Sequence, residues 1–264
     1  MAMRRLVLTV ALAGGCGGDD GPAPMPDAGP TGTPSIEGTP VSSFETTSCS
    51  TGSVLELSRQ IAEETDCLMP GQLVKFDVVA GLQITGAAVL PYLGLDARTD
   101  LYAAAAMAGA SPLQITSAFR TVVQQYLLNR WFQLGRCGIT AAADPGRSNH
   151  ESGRALDVSN YSAWITILGN HGWAHDVPGD PVHFDHLASA DLRGTDVLAF
   201  QRLWNRNAPD DPIAEDGSYG PTTEARVKLA PAEGFGIGAV CAARRRFEFA
   251  PPDIAVRPGA WQAD

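Results

Sequence analysis

Two short polar segments constrain this chain more than any other feature: SNHESGRALD at 148–157 and GDPVHFDH at 179–186. The first sets His150 and Asp157 on either side of Gly153, and the second brings His183 with Asp180 three residues ahead of it. Imidazole nitrogen and carboxylate oxygen are ordinary zinc ligands, and a catalytic zinc site takes three protein ligands while keeping a fourth position for water. His150, Asp157 and His183 fill that quota, which implies one Zn2+ per chain. A further carboxylate near a ligand can take the water's proton without binding the metal, and Asp180 is placed to do so. A His and an Asp at this spacing, taken alone, read equally as surface or core residues. The longer pattern around them decides.

The length of 264 residues suits one catalytic domain with a small accessory part. Apolar residues make up 44% and charged residues 18%, a globular balance, and no internal stretch is long and apolar enough to cross a bilayer. The net charge is −10, and the one basic cluster, Arg244 to Arg246, has no interleaved aromatic residues. That pattern argues against nucleic acid as a partner. At the start, Arg4 and Arg5 precede the apolar run Leu6 to Ala13, and Gly14-Gly15 precedes Cys16. LAGGC resembles a bacterial lipoprotein signal, with Ala13 where Leu is usual, so Cys16 is the expected lipidation site. The protein is then expected in the cell envelope as a membrane-anchored lipoprotein, or secreted if not lipidated. Residues 17–44, rich in Pro, Gly and Asp, read as a disordered tether.

Beyond Cys16 the cysteines are Cys49, Cys67, Cys137 and Cys241, an even number with no CxxC pair. In an exported chain this predicts two disulfides. Three connectivities are possible. Cys49 with Cys67 is favoured because the two flank one short helical segment, which leaves Cys137 with Cys241.

From Gly52 the sequence turns apolar and periodic, so folding is expected from about residue 45. Leu55, Ile61 and Ala62 predict a first helix, closed by the turn from Cys67 to Gly71. VKFDVVAG alternates like a strand. ASPLQITSAFR reads as a strand leading into a helix whose face carries Phe119, Val122, Val123, Tyr126, Leu127 and Trp131, with Arg120 at its start. DPGRSNHESGRALDV begins with turn residues and ends as a strand at Leu156 to Val158.

In order and spacing, SAFRTVVQQ, PGRSNHESGRALD and GWAHDVPGDPVHFD resemble the zinc D-alanyl-D-alanine carboxypeptidase family, which includes vancomycin-resistance-type D,D-peptidases and related endolysin peptidases. The resemblance spans roughly residues 110 to 188 and is most specific in SxHxxGxAxD. It implies that His150, Asp157 and His183 bind zinc and that Asp180, where many relatives have Glu, acts as the base. It also implies that Arg120 stabilises the oxyanion of a tetrahedral intermediate. Ser148 is a substrate-binding candidate or a turn residue fixing the loop, Trp173 is a substrate-pocket wall or a core aromatic, and Gln124 or Gln125 matches a Gln of structural role. His175 and His186 flank the third ligand as candidate hydrogen-bond partners of the site. The additional active-site His of some relatives has no counterpart, because Pro178 stands there.

After Leu187, the helix-like run through Val197, Leu198, Gln201, Leu203 and Trp204 and the turn DGSYGPTTEA resemble a small three-helix peptidoglycan-binding module. Gly217 and Gly220 would permit its tight turn and Thr222 would cap the next helix. Its usual closing helix is interrupted by APAEGFG. The expected architecture is α+β: a zinc peptidase domain at 45–190 with a small, mostly antiparallel sheet flanked by helices, a helical module at 191–247, and a tail at 248–264. The expected activity is hydrolysis of peptidoglycan stem peptides by a monomer, favoured as a D-alanyl-D-alanine carboxypeptidase. The alternatives are an endopeptidase cutting between L-Ala and D-Glu, or a non-catalytic, zinc-containing wall-binding protein.

Overall fold

The structure, a computed structural model, describes residues 32–109 and 111–241. Cys16, most of the expected tether, the arginine cluster and the expected tail lie outside the described residues. In chain order the elements are α1 (Phe44–Thr47), α2 (Leu55–Leu68), β1 (Leu73–Lys75), β2 (Leu82–Ile84), β3 (Tyr92–Gly94), α3 (Leu95–Ala106), β4 (Leu113–Ser117), α4 (Val122–Gln133), β5 (Ala155–Val158), α5 (Ile165–Gly169), β6 (His183–Asp185), α6 (Thr195–Asn207) and α7 (Pro221–Leu229). The class is α+β, as the sequence implies. A four-stranded sheet runs β2-β4-β5-β6, parallel at β2–β4 and antiparallel elsewhere, and β1 pairs antiparallel with β3.

One core lies on one face of the larger sheet. Ile115, Leu156, Val158 and Phe184 from the strands meet Leu101 and Ala104 of α3 and Trp164 and Leu168 near α5. Alternation along β5 sends Leu156 and Val158 into this core and Asp157 to the other side. A second core joins α2, α4, α6 and α7 through Leu57, Ile61, Tyr126, Trp131, Phe200, Leu203, Trp204 and Val227. The apolar stripe read on α4 is buried as expected, and Gln124 reaches back to the Thr121 N–H (3.3 Å), closing the helix start.

Several expectations change. VKFDVVAG is a strand only at its start, and Val78 and Val79 are exposed in a loop. Packing begins well before residue 45: Val41 is fully buried, and the segment from Ser35 runs beside residues 230–236, with Val41 N–H donating to Ala230 O and Ala232 N–H to Thr39 O. The C-terminal helices do not build a core by themselves, because α6 packs chiefly on α2 from the other end of the chain. Helix α7 starts from Gly220 with Pro221 in its first turn, and Thr222 supplies no cap. Gly217 does take the left-handed backbone (φ 68°), where an added Cβ would lie 2.9 Å from Gly194 O.

The disulfides join Cys49 to Cys137 and Cys67 to Cys241, overturning the favoured pairing. The reason is helix length. α2 has 14 residues, which at about 1.5 Å per residue separates its ends by about 20 Å, whereas bridged Cα atoms lie within about 7 Å. The observed Cα separations are 5.3 and 4.7 Å, across sequence intervals of 88 and 174 residues. Loops of that size contribute about 5 kcal/mol each in the chain-entropy account.

Glu64 of α2 is fully buried and ties the chain ends to the helices. It accepts from Arg202 (3.0 Å) and Arg206 (3.0 Å) of α6 and from the Val240 N–H (2.9 Å). Removing it strands two cations that its carboxylate neutralises. Glu64→Ala should therefore destabilise the oxidised protein by about 3–5 kcal/mol, read as a lowered midpoint in urea denaturation. An unchanged midpoint would show that this cluster does not hold α2 to α6.

Candidate metal centre

Strand register creates the site. On β5 and β6, Asp157 pairs directly with His183, and on the other side of β5 Ser117 of β4 pairs with Asp157. The β4–β5 ladder shifts between Ile115 and Ser117, so β4 bends away as it reaches the site. The chain then turns through Ala118 to Arg120, and the loop ahead of β5 returns beside it, with Arg120 N–H donating to His150 O (3.3 Å). Within that loop Gly153 has φ 72°, and an added Cβ would lie 3.1 Å from the Gly94 nitrogen. The glycine between the two first ligands is therefore required both by conformation and by space.

Three ligand atoms converge. His150 Nε2 lies 3.2 Å from Asp157 Oδ1 and 3.2 Å from His183 Nδ1, and His183 Nδ1 lies 3.1 Å from Asp157 Oδ1. A tetrahedral zinc with bonds of about 2.0–2.1 Å separates its ligand atoms by about 3.3–3.4 Å, so this near-equilateral triangle fits one such ion. Among the described residues, these three form the His/Cys/Asp/Glu group suited to hold a metal. The distances do not select zinc over other ions of similar radius, but two imidazoles and one carboxylate belong to zinc's ordinary chemistry.

The outer nitrogens fix the rings. His150 Nδ1 faces Ala118 O at 2.7 Å, so it donates and leaves Nε2 unprotonated toward the site. His183 Nε2 faces Asp185 Oδ1 at 3.0 Å, while Asp185 Oδ2 accepts from Asn149 (2.9 Å). Each ligand histidine thus has the outward acceptor that orients metal-binding imidazoles. Burial, reinforced by the Arg120 charge, lowers the His150 pKa. For His183 burial acts the same way but is outweighed by hydrogen bonds to Asp157 and Asp185, which raise its pKa to about 9. Burial would raise Asp157, yet the two histidines and Arg120 hold it well below the usual carboxylate range.

The triad opens into a cleft of about 700 Å³ whose walls include Arg120, Gln125, Ser148 and Asp180. Arg120 is held from two sides: Nη1 donates to Gln125 Oε1 (2.9 Å) and Nη2 to Ser117 Oγ (3.2 Å), with Asp157 Oδ2 at 3.5 Å. Gln125 is itself fixed by donation to Ala143 O (2.7 Å). Ser148 lines the cleft, but its Oγ accepts the His150 N–H (3.3 Å), so it also shapes the ligand loop. Asp180 is exposed on the cleft wall, and its carbonyl accepts the His183 N–H (3.3 Å).

Trp173 does not reach the cleft. It is buried in the sheet core with its ring edge against His186. Neither His175 nor His186 touches a ligand: His175 Nε2 meets Pro181 O (2.8 Å), bracing the loop of Asp180, and His186 bridges Asp100 (2.8 Å) and Ser189 (2.9 Å). The partner of His183 is Asp185, two residues along the same strand, which sequence reading passes over. Period-two alternation offered the signal, since His183 and Asp185 share one face of β6.

Glu151 is also unanticipated. Buried beside His150, it accepts from the Gly146 (2.8 Å) and Ser148 (2.9 Å) N–H groups and so holds the ligand loop. Asp196 of α6 lies wholly buried with its carboxyl beside that of Glu151. Burial and the charge of Glu151 push Asp196 well above the usual carboxylate range, and burial pushes Glu151 up to about 7. Asp196 is therefore neutral when Glu151 ionises.

Compared with known proteins, the sequence matches no family model and no curated protein.

Asp185→Ala should weaken zinc binding about 10- to 100-fold through the loosened His183 ring, and His150→Ala should abolish most of it. Chelator competition measures both, and full affinity in the Asp185 variant would remove its orienting role. The buried carboxyl pair predicts a pH effect. Both folded pKa values lie above their unfolded ones, so the folded chain keeps protons that the unfolded chain releases. The pair's contribution to stability should decline as pH rises above the usual carboxylate range, through about 7 for Glu151. The double variant Glu151→Gln, Asp196→Asn should flatten that decline in thermal melts, and an equally steep decline would place its origin elsewhere.

Proposed function

We propose that this chain is a zinc metallopeptidase that cuts stem peptides of bacterial peptidoglycan, favoured as a D-alanyl-D-alanine carboxypeptidase. One observation carries the reading: three ligand atoms converge at 3.1–3.2 Å on the floor of a cleft that Arg120 and Asp180 also line. A purely structural zinc site closes with four protein ligands and needs neither group. When bound, zinc would supply the Lewis acidity that lowers the pKa of water and polarises a carbonyl. Asp180 takes the proton from the attacking water and returns it to the leaving amine. Arg120, preset by Gln125 and Ser117, offsets the negative charge that develops on the carbonyl oxygen, so little reorganisation accompanies the reaction.

The endopeptidase reading, cutting between L-Ala and D-Glu, has a specific observation in its favour. Arg147 lines both the cleft and a second cavity, so a bulky group attached close to the scissile bond has room there, as a cut next to L-Ala requires. Under either reading the signal-like N-terminus and Cys16 fit a lipid-anchored envelope protein, with peptidoglycan as the partner and α6 and α7 as the wall-facing helical part.

Incubating the zinc-loaded protein with defined muropeptides and weighing the products identifies both activity and bond. Loss of one terminal alanine is expected, and release of the peptide beyond L-Ala would instead establish the endopeptidase. Asp180→Asn should keep its zinc while turnover falls about 100-fold or more. Unchanged mass for every muropeptide with the wild type would leave the non-catalytic wall-binding protein as the reading.

A further inference from the structure

We propose that the second cavity is a sugar subsite, seating a neutral N-acetylated sugar of the glycan strand while the attached peptide lies over the metal triad. This rests on the reading of the triad as a peptidoglycan peptidase. The cavity measures about 410 Å³, within the roughly 300–1,000 Å³ typical of small-molecule sites. It lies between α4 and the first turn of α7, lined among others by Tyr126, Asn129, Gln133, Asp144, Arg147 and Tyr219. Arg147 lines the metal cleft as well as this cavity.

The wall on α4 is a locked chain of polar groups. Arg130 Nη1 donates to Gln133 Oε1 (2.7 Å), Gln133 Nε2 to Asn129 Oδ1 (2.7 Å), and Asn129 Nδ2 to Ala143 O (3.2 Å) and Asp144 Oδ1 (3.2 Å). Each amide oxygen retains a second lone pair and Gln133 retains a second N–H, while both N–H groups of Asn129 are engaged. Such groups suit a ligand whose hydroxyls both donate and accept, and their fixed positions lower the ordering cost of binding.

Charge in the cavity is balanced. Arg130 is paired with Glu45 (3.1 Å), Glu224 with Lys228 (2.5 Å), and Asp144 and Arg147 carry opposite signs within one turn, where Arg147 N–H donates to Asp144 O (3.0 Å). Nothing there favours a phosphate or a metal ion. Half-buried Tyr219 adds the apolar component that the C–H face of a sugar ring requires, while Tyr126 lies behind it in the core. The Tyr126 hydroxyl is engaged by Glu45, whereas the Tyr219 hydroxyl has no hydrogen-bond partner among the described residues.

Tyr219 also links the subsite to the metal loop. Gly146 has φ 79°, and an added Cβ there would sit 3.4 Å from Tyr219 Cβ, so the loop leading to His150 packs directly on this tyrosine. A ligand ordered against Tyr219 would therefore rest beside the backbone that presents the first ligand.

The test uses the full zinc-loaded chain and chitotriose, the β-1,4-linked trimer of N-acetylglucosamine, followed by NMR titration. Saturable shifts at cavity residues are expected, with affinity falling about tenfold in Tyr219→Ala and in Gln133→Ala. Gln133 is exposed, so its variant decides the matter if Tyr219→Ala fails to fold. In parallel, the ratio of kcat/KM for a sugar-bearing muropeptide to that for the same sugar-free peptide should fall about tenfold in the variants at equal zinc content. No saturable chitotriose binding, or binding unaffected by Gln133→Ala, overturns the subsite. Retained chitotriose binding without hydrolysis of either peptide would uphold the subsite and overturn the peptidase reading.

Discussion

The pairing of Asp157 with His183 across β5 and β6 is the constraint on which the site depends. A one-residue slip would turn each side chain to the opposite face, putting Asp157 into the core and Leu156 and Val158 out of it, and would carry His183 away from Asp157. The register is protected by the core, since Leu156 and Phe184 also pair directly and both are fully buried. Apolar packing beneath the sheet therefore aligns two polar ligands above it. His150 is not on a strand, and its position depends on the Ala118 carbonyl, the Gly153 turn and Glu151 holding the loop.

The helical lobe supports that loop from behind. Asp196 of α6 abuts Glu151, Tyr219 packs on Gly146, and α4, which carries Gln125 and so positions Arg120, shares its core with α6. These helices are in turn fixed to the N-terminal part by Glu64 and the two long-range disulfides. Cutting the chain after residue 190 would remove one side of the metal loop's surroundings and expose the apolar faces of α2 and α4. The C-terminal helices are thus part of the platform of the cleft, whatever else they contact.

What the sequence made legible follows from the range of each interaction. The α2 and α4 stripes, the β5 strand and the His150, Asp157 and His183 set depend on local periodicity or on a compact motif, and the structure brings them together. Helix α3 was not legible, because LDARTDLYAAAA has little amphipathic pattern to read. The disulfide pairing and the partnership of α2 with α6 depend on contacts far apart in sequence, which spacing alone does not encode. Sequence leaves Trp173 as either a pocket wall or a core aromatic. In the fold it lies under the sheet, where its bulk fills the core beside Phe184 and Leu168. Asp185 was missed because it is hidden inside a motif already accounted for by His183.

The same geometry sets the proton affinity of the triad before a metal arrives. Hydrogen bonds to Asp157 and Asp185 raise the His183 pKa to about 9, so its ring holds a proton more firmly than a free imidazole, while the two histidines and Arg120 hold Asp157 well below the usual carboxylate range. His150, its pKa lowered by burial and by Arg120, offers a bare Nε2 at 3.2 Å from Asp157 Oδ1. Binding a divalent ion must expel that proton, which costs more as pH falls below the His183 value. Asp185 has two opposed effects: it raises the proton affinity of His183, yet it orients the ring and strengthens it as a ligand once the proton is gone.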